Sequence, residues 1–198
     1  ERTGSAYGSL AYLAGYNGVT MQFTTGVAGS SSATINSRTV SVANNITTAS
    51  LTYSGNTITI TTGTFPANSS NYTVTITVTV IDTRGASASV SRNVTVSGYA
   101  KPSVTSAKAT RANGSGTVDT EGVYANLTAT GTAHSNASIA SMQIKYGSAN
   151  VKTASASTVT QNAYRYNNTD FNVNQSYTFT AIATDNLGFS TSISFVLA

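Results

Sequence analysis

The chain is predicted to be all-β, with two tandem immunoglobulin-like or fibronectin-III-like β-sandwich domains. Three observations carry that prediction. Apolar and polar residues alternate with period two over many short segments, most clearly in Thr73-Val74-Thr75-Ile76-Thr77-Val78-Thr79-Val80. β-Branched residues on both parities of that run favour strand over helix. Clusters of Gly, Asn, Asp and Ser separate the segments, as turns do. The third observation is that the two halves of the 198 residues repeat each other at one spacing.

The repeat is clearest near the end of each half. Thr77-Val78-Thr79-Val80-Ile81-Asp82-Thr83-Arg84-Gly85 parallels Thr180-Ala181-Ile182-Ala183-Thr184-Asp185-Asn186-Leu187-Gly188, with Asp82 and Asp185 standing 103 positions apart. Gly18-Val19 and Gly122-Val123 stand 104 apart. Two distant anchors at nearly one spacing argue for duplication more strongly than either alone. A period near 100 residues matches one seven-stranded sandwich. Between the halves lies Tyr99-Ala100-Lys101-Pro102. Pro102 lacks an N–H and pushes Lys101 toward an extended conformation, so 99–102 is predicted to be a short linker. The domains are then 1–98 and 103–198.

The first 18 residues are broken by Gly4, Gly8, Gly15 and Gly18, and only 9–13 suggests a strand. From Val19 the alternation is clear: Val19, Met21 and Phe23 against Thr20, Gln22 and Thr24. A loop at 26–32 follows, then strands at 34–42, 46–53 and 57–62. Ser54-Gly55-Asn56 is predicted as a hairpin turn and 66–71 as a second turn-rich connection. After the 73–80 strand, Asp82-Thr83-Arg84-Gly85 forms a turn. A last strand then carries Val90, Val94 and Val96 on one parity, with Arg92 near an edge or rim.

In the second half, strands are predicted at 104–112, from 122 to 128, and at 139–146, 151–156, 158–166, 177–184 and 189–197. Asn113-Gly114-Ser115-Gly116 is a flexible turn. Asp82 and Asp185 suit their turns because Asp bonds main-chain groups two residues on.

Composition narrows the function. Only 8% of residues are charged, too few for an ordinary cytosolic surface, and Ser, Thr and Asn fill the polar positions instead. The net charge of +4 is scattered without a basic run, so no nucleic-acid footprint is predicted. No cysteine is present, which removes disulfides and thiolate metal sites. No apolar run reaches the roughly 20 residues needed to cross a bilayer, and no membrane partner is expected. The opening Glu1-Arg2-Thr3 lacks a signal-peptide pattern, and the missing initiator Met suggests a processed chain or a fragment.

Tyr99-Ala100-Lys101-Pro102, Ala109-Thr110-Arg111, Gly116-Thr117 and Glu121-Gly122-Val123-Tyr124 together resemble the immunoglobulin-like repeats of minor structural proteins of siphophages with Gram-positive hosts. In such repeats an aromatic-x-x-Pro entry precedes a strand ending in Arg, and a Gly/Asp loop leads to Glu-Gly-x-Tyr. The first half has only Tyr16-Asn17-Gly18-Val19 to set against that run. The resemblance implies a virion tail or fibre component, serving as a spacer and in host-surface attachment, with other virion proteins as partners. It supplies no catalytic, cofactor or metal residues. A carbohydrate-binding module and a bacterial cell-surface adhesin of similar build are the alternatives. Thr-rich strand edges leave a homo-oligomer open.

Candidate sites are few, and no enzyme is expected. His134, the single histidine, falls in a loop among abundant Ser, which by itself is no catalytic arrangement. Asp119 and Glu121 are two apart, but six scattered acidic residues do not make the carboxylate cluster that calcium requires. Lys145 lies at the opposite parity to Ile144 and is predicted to face solvent rather than to enter an isopeptide bond. Tyr164, Tyr166 and Asn168 are the saccharide candidates: aromatic faces for stacking beside an amide. Against that stands core packing of both tyrosines from one strand face.

Overall fold

A computed structural model describes residues 10–24, 33–44 and 46–198. The 26–32 loop, Gly4 and Gly8 lie outside the described residues. All regular structure among the described residues is β, in two compact units, 1–99 and 100–198. Both are sandwiches of the immunoglobulin-like and fibronectin-III-like class.

In the first unit β1 (Thr20–Thr24), β2 (Ile35–Val42), β3 (Thr48–Ser54), β4 (Thr57–Thr62), β5 (Tyr72–Asp82) and β6 (Ser87–Val96) form two antiparallel sheets. Their orders are β1-β4-β3 and β2-β5-β6. The alternation decides what lies between them. Val74, Ile76 and Val78 of β5 meet Ile58 and Ile60 of β4, with Met21, Phe23, Val94 and Val96 completing the core. Full burial of each such side chain is worth about 1.5–3 kcal/mol. The opposite parity of β5 and β6 pairs hydroxyls and an amide across the strands, at Thr75–Asn93, Thr77–Ser91 and Thr79–Ser89, 2.7–2.9 Å apart. Of the strand expected at 9–13, residue 9 lies outside the described residues, and 10–13 form no continuous strand. Leu13 makes one parallel bridge to Ser97, flanked by main-chain bonds from Ser97 to Tyr12 and from Ala14 to Ser97.

The second unit contains β7 (Ser103–Ala112), β8 (Tyr124–Thr132), β9 (Ile139–Tyr146), β10 (Ala149–Ala154), β11 (Thr158–Tyr164), β12 (Tyr177–Asp185) and β13 (Ser190–Leu197). The sheets are β11-β8-β7 and β10-β9-β12-β13. Leu127, Met142, Ile144, Val159, Phe179 and Leu197 are at the centre of a core that shares no residue with the first.

The two units are not copies in topology. β3 and β10 occupy the same place in chain order, but β3 joins β4 whereas β10 joins β9. The position of the two-residue turn accounts for the difference. Gly55-Asn56 links β3 to β4, and Gly147-Ser148 links β9 to β10, each with its Gly at positive φ (56° and 58°). A two-residue turn with Gly first forces its flanking strands to pair with each other. The strand thus joins whichever neighbour the tight turn ties it to. The structure moves the start of β10 from the predicted 151 to Ala149, because Ser148-Ala149-Asn150 resembles a loop in composition.

Asp82 and Asp185 hold matching turns. The Asp82 carboxylate accepts the N–H groups of Arg84 (2.8 Å) and Ala86 (2.9 Å); Asp185 accepts those of Leu187 (3.0 Å) and Phe189 (2.9 Å). Asn113 does the same for Ser115 and Thr117, at 3.0 Å each. The amide oxygen can therefore replace the carboxylate in this turn. The Arg84 N–H bond, then that from Ala86 and the Arg84 guanidinium, hold the Asp82 carboxyl below its usual pKa. A depressed folded-state pKa stabilises above the ordinary Asp range and is lost as pH falls through the folded value. Wild type is expected to melt above Asp82→Asn at neutral pH. That margin should close as pH drops below about 4, which melting curves against pH will check.

Gly122, just ahead of β8, has no room for a side chain. A Cβ there would strike the Ala112 carbonyl and stand 2.8 Å from the Ala112 nitrogen. Gly122→Ala is expected to cost about 1–3 kcal/mol, measured as a shift in the denaturant midpoint.

Candidate functional site

The richest constellation in the second unit is the connection from β11 to β12, residues 165–176, and what holds it. Arg111 is the anchor. It lies on the inward parity of β7, in line with Ala107 and Ala109, and is buried to 7% exposure. Its Nε donates to the Ala198 main-chain oxygen at 2.7 Å. Nη1 donates to the carbonyls of Gly122 (3.3 Å) and Phe171 (3.5 Å), and Nη2 to those of Asn172 and Gln175 (2.9 Å each). One planar fork thus pins the end of β13, the turn before β8 and the β11–β12 connection. All five acceptors are main-chain oxygens, so Arg111 holds the connection by its backbone.

The held connection then presents its own groups. Tyr166-Asn167-Asn168-Thr169 is a two-residue hairpin closed by the Thr169 N–H to the Tyr166 carbonyl at 2.9 Å. Asn167 and Asn168 both take positive φ, 53° and 59°, as a type I′ turn requires. Arg165 donates to Asp170 at 2.8 Å, and its guanidinium lies 4.7 Å from the Tyr124 ring centroid. The Asp170 bond pushes the Arg165 pKa up. The Phe171 N–H donates to the Val123 carbonyl, seating the Phe171 ring among Tyr146, Tyr164, Tyr177 and Phe179. The Tyr177 hydroxyl accepts the Asn172 N–H (2.8 Å) and donates to Gln175 Oε1 (3.1 Å).

The structure separates the three saccharide candidates. The Tyr164 ring packs on Phe171 and Phe179 at the margin of the core, and burial, then the nearby Tyr166 and Tyr146 phenols, pushes its pKa up. Asn168 is a turn residue. Tyr166 is 37% exposed and stands edge-on to Tyr146, with ring centroids 5.1 Å apart. Beyond Tyr164 the two tyrosines do not share a strand face, because β11 ends there after a register shift with Ala163 at φ 48°. Tyr146, Tyr166, Thr169, Asp170, Phe171 and Tyr177 line an open recess of about 110 Å³. That volume falls well below the ~300–1,000 Å³ of an ordinary small-molecule pocket. Chemically the recess offers an aromatic edge and a carboxylate, suited to covering one side of a single polar ring.

Larger hollows lie nearby. One of about 410 Å³ is bordered by Thr110, Val118, Asp119, Thr120 and Val173, next to Arg111. Another, about 270 Å³, lies on the outer side of the β11-β8-β7 sheet among Lys108, Asn126, Thr160 and Asn162. Asn126 is committed there, donating to the Gly116 carbonyl and accepting the Ala163 N–H. His134 occupies the β8–β9 loop, its Nδ1 accepting the Asn136 N–H at 3.4 Å. Among the described residues, no three His, Asp or Glu side chains converge as a metal site would need. Lys145 is half-buried, opposite Asn150 and Thr180.

Sequence reasoning had placed Arg111 only as the end of a strand. Its inward parity was the available signal, since an Arg aligned with core-facing Ala must find internal acceptors.

No protein-family model matches the chain, and no curated protein matches it. Among solved structures it is similar to one titled "Structures of Clostridium thermocellum CbhA fibronectin(III)-like modules". That similarity has 13% identity and a TM-score of 0.35, over 83% of this chain and 92% of the other.

Proposed function

We propose that this chain is a non-enzymatic structural segment of a phage virion, in the tail or its fibres, serving as a spacer and in host-surface attachment. The observation that best supports this reading is the pair of self-contained cores within one chain. Its polar residues go into turns and cross-strand hydroxyl pairs, and its charge is low. Such a build suits a durable exterior part that carries load and positions other virion proteins. The motif run from Tyr99 to Tyr124 supplies the phage attribution. The test is compositional. Purified particles of the phage whose genome encodes the chain should contain it in fixed stoichiometry, and antibodies to it should label the tail. Particles lacking the chain would overturn the assignment.

A second reading is favoured by the exposed Tyr166 beside Asp170. Here the segment itself touches host cell-wall polysaccharide, with the ring of Tyr166 against a sugar face and Asp170 accepting a sugar hydroxyl. One shallow recess gives weak contact per copy, so binding strength would come from many copies on one surface. Tyr166→Ala should abolish saturation-transfer signals from cell-wall polysaccharide while leaving the melting temperature nearly unchanged. Signals that survive the substitution would remove this recess from consideration.

A further inference from the structure

Strand edges expose unpaired N–H and C=O groups, and proteins ordinarily guard them with bulges, charges, shortness or a covering element. Among the described residues, seven of the eight outer strands carry such a guard. Register shifts interrupt β2, β3, β7, β10 and β11. Arg38, Lys108 and Lys152 add charge on β2, β7 and β10. β1 is only five residues long. The outer side of β13 runs close to β7 of the facing sheet.

β6 is the exception. It is ten residues long, free of proline, and pairs with β5 without a register shift from Ser87 to Val96. Among the described residues no strand lies on its outer side, and the bridge to Leu13 comes only afterwards, at Ser97. From Ser87 to Asn93 every residue is exposed, on both faces of the strand. Val90, on the inward parity, keeps 37% of its surface in water. Ile193, at the same place in the repeat, is 38% exposed, but its strand has β7 beside it.

We propose that β6 docks against β6 of a second copy of this chain, antiparallel and centred on Val90. The strand is self-complementary in that register. Val90 meets Val90 of the other copy, covering the apolar surface each leaves in water. On the hydroxyl face Ser89 comes opposite Ser91 and Ser87 opposite Asn93. These pairs extend the Thr79–Ser89, Thr77–Ser91 and Thr75–Asn93 rungs across the new boundary. Such cross-strand pairs are the unit of sheet stabilisation. Arg92, the single charge on β6, comes opposite Ala88. The two Arg92 residues then stand four positions apart, about 14 Å along the strand and beyond the ~8 Å screening length at physiological salt. The charge that would guard this edge against other registers is harmless in this one. The β2-β5-β6 sheet becomes one continuous six-stranded sheet shared by two chains.

Sedimentation velocity on the full chain, up to about 1 mM, tests this, with amide exchange of residues 87–93 as the local readout. Wild type should pass from monomer to dimer with concentration, and the exchange of those amides should slow as it does. Val90→Lys and Val90→Glu should each remain monomeric with an unchanged melting temperature, because the site is exposed in the monomer. Mixed in equal amounts, the two variants should form a heterodimer, since residue 90 faces residue 90. Wild type that stays monomeric throughout, a single variant that dimerises like wild type, or a mixture that fails to associate would each overturn the proposal.

Discussion

Arg111→Ala should destabilise the second unit by on the order of 3–5 kcal/mol, the largest effect expected of a polar substitution in this chain. The change strands five main-chain oxygens, on Gly122, Phe171, Asn172, Gln175 and Ala198, that now share one guanidinium. Water can rehydrate some of them but cannot rebuild the fork that ties three segments together. Arg111→Lys should recover only part of the loss, because an ammonium is a point donor and cannot reach five acceptors spread in a plane. Each kcal/mol lowers the midpoint of a domain this size by about 4–8 °C, so calorimetry resolves the two variants easily. A drop no larger for Ala than for Lys would show that the fork geometry is not what matters.

Phe179→Ala is expected to cost about 3–5 kcal/mol. Phe179 is fully buried, and its ring meets those of Tyr146, Tyr164, Phe171 and Phe195. Removing it opens a cavity in the middle of that cluster, where the surrounding rings cannot all collapse inward. Tyr146 and Phe171 also border the recess beside Tyr166. Loss of the Phe179 ring should therefore loosen that recess as well as the core. Chemical denaturation of Phe179→Ala, followed by tyrosine fluorescence, will measure the cost.

The strands and the doubling were legible because both are written in local pattern. Val-Thr alternation marked β5, and Asp82 and Asp185 marked equivalent turns before either was seen in space. The pairing of β10 was not legible, for a specific reason. Ser148-Ala149-Asn150 looks like loop, which hid the two-residue turn at Gly147-Ser148 that ties β10 to β9. Once β10 is known to begin at Ala149, the different sheet membership of β3 and β10 follows from turn placement alone. The candidate site was half visible. Tyr166 stands out by type, but the amide candidate Asn168 is occupied, with Asn167, in the backbone of a type I′ turn. Tyr164 has the outward parity of Val159's strand and reaches the core only through the register shift before it, with Ala163 at φ 48°. The organising part of Arg111 lay in its parity, and the free edge of β6 required knowing which neighbours every other strand has. Information of that kind is non-local and no single segment carries it.

That each half folds around an interior of its own is tested most directly by residue-resolved hydrogen exchange on the intact chain carrying Ile76→Ala. Amides of β4, β5 and β6 should lose protection by the cost of the cavity, about 2–5 kcal/mol, while those of Leu127, Ile144 and Ala181 keep their wild-type exchange rates. Equal loss of protection in both halves would mean one cooperative interior and would contradict the account.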